Sequence, residues 1–118
     1  MSLALMTQFG ERWSARDLDG CMNCFSDDAV YAAAIGPEPG TTYAGKPAIR
    51  AKLAEIFADA TISPLLCGRF FPHGEVGLME WSIDKRMPDG TTKTIRGIDL
   101  YAFRDGLITL KDSYRKTF

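Results

Sequence analysis

Histidine is nearly absent from this 118-residue chain, where His73 stands alone. Cysteine is scarce and odd in number: Cys21, Cys24 and Cys67 are too few for a disulfide framework or a two-pair zinc site. Cys21 and Cys24 form one CxxC, with no second ligand pair and no preceding strand of the thioredoxin kind. They read as two thiols on a helix face that Phe25 completes. No excess of basic residues exists, since fourteen Lys and Arg face fifteen Asp and Glu. That excludes the electrostatic footprint of a nucleic-acid binder. No apolar run is long enough for a membrane span or an export signal, because Gln8, Glu11 and Arg12 interrupt the apolar start. A reducing, cytoplasmic setting is therefore expected. Phosphate loops, nucleotide motifs and metal-ligand clusters are missing, so neither cofactor nor metal is expected.

What is present is an ordinary globular composition, 46% hydrophobic and 25% charged. Residues 1–118 suit one domain, able to bury roughly two-thirds of its unfolded surface. Met6, Phe9 and Trp13 fall at i, i+3 and i+7, one face of a first helix that Arg16 and Asp17 close. Asp17-Leu18-Asp19-Gly20 reads as a turn with a cap leading into a short helix through Cys24 and Phe25. Residues 29–34 suggest a strand, and Gly36-Pro37-Glu38-Pro39-Gly40 a loop. Gly45-Lys46-Pro47 starts another helix, with Pro47 in the first turn, where its missing N–H costs nothing. Ile49, Leu53, Ile56 and Phe57 form its apolar stripe. Turn signals at Pro72-His73-Gly74-Glu75, Pro88-Asp89-Gly90 and Arg104-Asp105-Gly106 then separate four antiparallel strands. Helices followed by a strand meander give an α+β fold, the sheet curling around the helices.

The turn at Pro88-Asp89-Gly90 fixes a register. With Met87 opposite Thr91, Ile83 faces Ile95, Trp81 faces Gly97 and Met79 faces Asp99. Tyr101 and Phe103 continue that face. If Phe103 faces Leu107, then Thr109, Lys111, Ser113 and Arg115 also point inward. The register sets Asp99 among Met79, Trp81, Tyr101 and Phe103. A charged, unpaired carboxylate there would cost several kcal/mol, so it is protonated, paired or facing a wet pocket. Protonated, it is a general acid or base. Tied to a cap, a tyrosine or a lysine, it is structural. Paired with Lys111 or Arg115, it belongs to a charged binding pocket.

Three stretches carry a family resemblance. Ala15-Arg16-Asp17-Leu18-Asp19-Gly20 followed by Phe25-Ser26-Asp27-Asp28-Ala29 resembles the opening of the nuclear-transport-factor-2-like superfamily, which includes the SnoaL-like proteins. Gly45-Lys46-Pro47-Ala48-Ile49-Arg50 resembles its helix start, and the run from Gly97 to Ile108 its closing strands. The resemblance implies a curved antiparallel sheet wrapped on helices into a cone-shaped half-barrel of cystatin-like topology, with a pocket at the open end.

The fold hosts many activities. Ketosteroid isomerases need a base Asp, which matches Ala33 here, and an oxyanion Tyr, which matches Phe9. Only the second Asp is kept, as Asp99. Limonene epoxide hydrolases need an Arg-x-Asp strand and a further Asp. Gly97 and Ser113 stand there instead, and the parity turns Arg96 outward. SnoaL-like cyclases rely on one strand Asp, which Asp99 resembles. The implied function is binding of a small apolar organic ligand, with an isomerase, cyclase or lyase reaction through Asp99 beside a non-catalytic ligand- or partner-binding module. Phe9, Trp13, Tyr31, Phe57, Trp81, Tyr101 and Ser113 are the expected lining. His73 is either an exposed loop residue or a second acid/base at the rim. Leu78, Ile98, Leu100, Ile108, Leu110 and Tyr114 would make an apolar outer face, and the resemblance implies a homodimer through it.

Overall fold

The computed structural model describes residues 2–116. Three helices lead: α1 (Ser2–Ser14), α2 (Leu18–Met22) and, after two strands, α3 (Lys46–Ala58). The strands are β1 (Phe25–Ala32), β2 (Thr42–Ala44), β3 (Leu66–His73), β4 (Val76–Arg86), β5 (Thr92–Arg104) and β6 (Leu107–Arg115). They form a six-stranded sheet in the order β2-β1-β6-β5-β4-β3. Pairing is antiparallel except between β1 and β6, which run parallel. That places the first strand of the chain beside the last, closing one side of an α+β cone.

Local chemistry accounts for each helix. In α1, Met6 and Phe9 are buried and Trp13 packs against the core. Asp17 caps α2, its carboxylate accepting from the Gly20 N–H at 3.0 Å. Cys21 and Cys24 are free and fully buried beside Phe25, as two apolar thiols of the core. Pro47 lies in the first turn of α3, whose Ile49 and Leu53 are buried and whose Ile56 and Phe57 pack on the core. On the sheet, α1 meets β3 while α3 meets β1 and β2.

The meander takes the expected register across β4 and β5. Met79 faces Asp99, Trp81 faces Gly97 and Ile83 faces Ile95, and the Met87 N–H bonds to the Thr91 carbonyl at 2.7 Å. Gly97 is required there. A Cβ on it would stand 2.3 Å from Trp81 Cζ2 and 2.5 Å from the Tyr114 carbonyl oxygen.

The structure departs from the sequence expectations at β6, at β1 and at β2. Phe103 faces Ile108, not Leu107, and the register shifts between Ala102 and Phe103. Thr109 is the extra residue of this bulge, which returns Lys111 and Ser113 to the inner face. Ile108 therefore turns inward and is fully buried, so it does not belong to the outer apolar face. The strand read at residues 29–34 begins at Phe25, and β2 was not foreseen at all. Three residues are too few to show an alternation.

Candidate functional site

The inner faces of β4, β5 and β6 form a ladder of rows. Tyr101 pairs with Lys111, then come Met79–Asp99–Ser113, Trp81–Gly97–Arg115 and Ile83–Ile95. Above this wall α1, α3 and the segment leading into β3 enclose a cavity of about 390 Å³. That falls in the size range of small-molecule sites. Phe9, Trp13, Tyr31, Phe57, Trp81, Tyr101 and Ser113 all line it, with Asp99 and Lys111 at its floor. Phe9 meets Trp13, Phe25 and Tyr101 edge-on, and Trp13 meets Phe57 at 5.2 Å. This aromatic lattice holds the cavity wall in one arrangement.

Asp99 is 3% exposed and Lys111 5%. Lys111 Nζ donates to Asp99 Oδ2 at 2.7 Å and to Ser113 Oγ at 3.1 Å. Tyr101 donates its hydroxyl to the same Oδ2 at 3.0 Å, and Trp81 Nε1 donates to Oδ1 at 2.8 Å. Three donors thus converge on one buried carboxylate. The ammonium also sits 4.5 Å from the Tyr31 ring centre and 4.8 Å from that of Trp13. Burial opposes the charge on Lys111, but the Asp99 charge and hydrogen bond, together with Tyr31, hold the amine above its ordinary value. Burial, and then the neighbouring Asp99 charge, push the Tyr101 hydroxyl well above the usual tyrosine range.

His73 ends β3, is exposed, and does not line the cavity. It is an exposed strand-end residue, paired with Val76 and away from the cavity that holds Asp99. Arg96, opposite Ser82, is exposed on the other face of the sheet. Ala33 and Phe9 do line the cavity. The positions matched to an isomerase base and oxyanion donor are therefore in place, but carry no polar group.

Arg16 and Cys67 are among the contributors that the sequence did not reveal. Arg16 donates to the carbonyl oxygens of Phe57 at 2.9 Å and Asp59 at 3.1 Å, and also to that of Ile62. It fixes the segment that roofs the cavity. A helix-ending arginine gives no local sign of partners more than forty residues away. Cys67 lines the cavity too, opposite Trp81.

The chain belongs to the SnoaL-like domain family, whose sequence model matches residues 6–111. Solved structures repeat the fold. An NTF2-like protein of unknown function from Mesorhizobium loti superposes with a TM-score of 0.82 at 22% identity, covering 98% of this chain and 90% of the other. A Mycobacterium tuberculosis protein in complex with estradiol-17β-hemisuccinate gives 0.79 at 22% identity, covering 98% and 97%. TerC co-crystallised with polyporic acid gives 0.81 at 19% identity, covering 97% and 90%. No curated protein sequence matches the chain.

Proposed function

We propose that this chain binds a small, mostly apolar organic molecule in the cavity, and that Lys111, Ser113 and Asp99 fix an oxygen of that molecule. The observation that carries this reading is the buried 2.7 Å Asp99–Lys111 pair at the floor of an open, largely apolar cavity. Trp81, Tyr101 and Lys111 all donate to Asp99, which leaves about one of its four acceptor sites for a hydroxyl of the ligand. An acid or base for an isomerase, cyclase or lyase reaction needs a carboxyl group able to reach a substrate proton. Here Lys111 and Ser113 face the ligand more readily, as hydrogen-bond groups of fixed position. That relatives have been solved with polyporic acid and an estradiol ester supports the ligand class.

Trp13 and Trp81 are the two tryptophans of the chain, and both line the cavity. Titration with estradiol should quench their fluorescence saturably, at one ligand per chain, and mass spectrometry should recover the ligand unchanged. Absence of saturable quenching would overturn the reading. Conversion of a β,γ-unsaturated ketosteroid probe, lost in Asp99→Asn, would restore Asp99 to an acid/base role.

The outer face of the sheet completes the proposal. Val76, Ala102 and Leu110 form one row there, with Leu78 and Leu100 in the next. Leu78 is 39% and Tyr114 58% exposed. A two-fold axis would lay this apolar patch against the same patch of another copy, so a second copy of the chain is the proposed occupant.

A further inference from the structure

We infer that the ligand is an amphiphile with an anionic end, held at the cavity mouth by Arg115 at the end of β6, with Lys85 further out on β4 adding positive potential, while its apolar body lies against the aromatic and aliphatic lining. This rests on the binding reading above and narrows it to a class of ligand.

The charges of the lining lead to it. Lys111 is matched by Asp99, and Lys52 by Glu55 at 3.3 Å. Arg16 is committed to three carbonyl oxygens. Asp59 accepts from the Thr61 N–H and hydroxyl. Two further cations line the cavity, Arg115 and Lys85. Among the described residues, neither has a carboxylate within ion-pair distance, although the charge of Lys85 reaches Asp59 at longer range. The lining thus carries five cations against three acids, an excess of two, in a chain whose formal net charge is -1.

The ladder places this excess. Arg115 pairs with Gly97 in the row of Trp81, and Lys85 lies beyond Ile83 on β4. At about 3.4 Å per residue, the Arg115 row is roughly 7 Å along the ladder from the Asp99 row. Lys85, opposite Lys93, is roughly 20 Å along the ladder from the Asp99 row. From floor to rim the rows read polar, then Trp81 with Arg115 at the end of β6, then aliphatic, then Lys85. Gly97 carries no side chain that could stand between Arg115 and the Trp81 ring. A neutral ligand would leave Arg115 with no carboxylate at ion-pair distance among the described residues, and Lys85 with only the longer-range charge of Asp59. A carboxylate at the rim keeps part of its hydration, gains a guanidinium suited to two parallel hydrogen bonds, and avoids burial among the aromatic rings. The low-dielectric walls focus the positive potential on an approaching anion.

The test compares 1-pyrenebutyrate with 1-pyrenebutanol, which share an apolar body and differ in one charge, by quenching of Trp13 and Trp81. At low salt the acid should bind about tenfold more tightly, the lower end for a charge-assisted contact. Arg115→Gln and Lys85→Gln should each reduce that ratio several-fold, and 0.5 M salt should bring it towards one. Arg115→Glu should reverse the preference. Equal binding of the two probes, or a ratio that neither glutamine substitution moves, overturns the inference and leaves the binding reading standing. Failure of both probes to bind removes the binding reading and this inference together.

Discussion

Lys111 is where burial and charge oppose each other most directly. Its ammonium is inside the protein only because Asp99 is there to meet it, and removing one partner leaves the other uncompensated. Asp99→Asn should cost about 3 kcal/mol in urea unfolding, and Lys111→Met a similar amount. The double variant, with no charge left to strand, should recover much of that loss, and strictly additive costs would show that the pair is not coupled. Cys21 acts in a different pH range. Burial pushes its thiol from 9.0 up to about 12. Above pH 9.0 the unfolded chain releases that proton first, so it binds fewer protons than the folded chain, and stability falls as pH rises towards about 12. The slope should approach about 1.4 kcal/mol per pH unit and be reduced by that amount in Cys21→Ala. Lys111, raised above 10.5, keeps its contribution below that pH and loses it only as pH climbs through its higher folded value.

Among the elements, β5 does the most to position the site. It carries Asp99 and Tyr101, and its Gly97 makes room for the Trp81 ring that reaches Asp99. Gly97→Ala should displace that ring, cost about 1–3 kcal/mol as overpacking does, and weaken estradiol binding measured by fluorescence. Unchanged binding would separate the Trp81 position from the site. The β6 bulge at Thr109 matters equally. Without it, the parity that buries Ile108 would turn Lys111 away from Asp99. Arg16 has a comparable part at the roof, where one side chain ties α1 to the segment after α3.

At the scale of the whole molecule, one sheet faces two ways. Its concave side surrounds a cavity, and its convex side leaves Leu78 and Tyr114 exposed beside half-buried Ile98, Leu100 and Leu110. Contiguous apolar surface of this kind marks an interaction site. Sedimentation at micromolar concentration should give a dimer, and Leu78→Glu should shift it to monomer while leaving estradiol binding in place. A monomeric wild-type chain would refute the proposed second copy.

Much of this could be read from order and period along the chain. The α1 and α3 stripes, the Asp17 cap and the turn-defined pairing of β4 with β5 are local, because side-chain period and turn chemistry act over a few residues. The Trp81–Gly97 fit even fixed which face Asp99 takes. Its three donors are another matter. Lys111 was one of two candidate partners, and the choice depended on a bulge that no local pattern announces. The parallel contact of β1 with β6, the inward turn of Ile108 and the reach of Arg16 depend on segments distant in sequence becoming neighbours. A strand's own residues say which side is apolar. Only the packed molecule says what stands opposite, and that neighbour decides whether a buried carboxylate is free to move a proton or is already held by an ammonium.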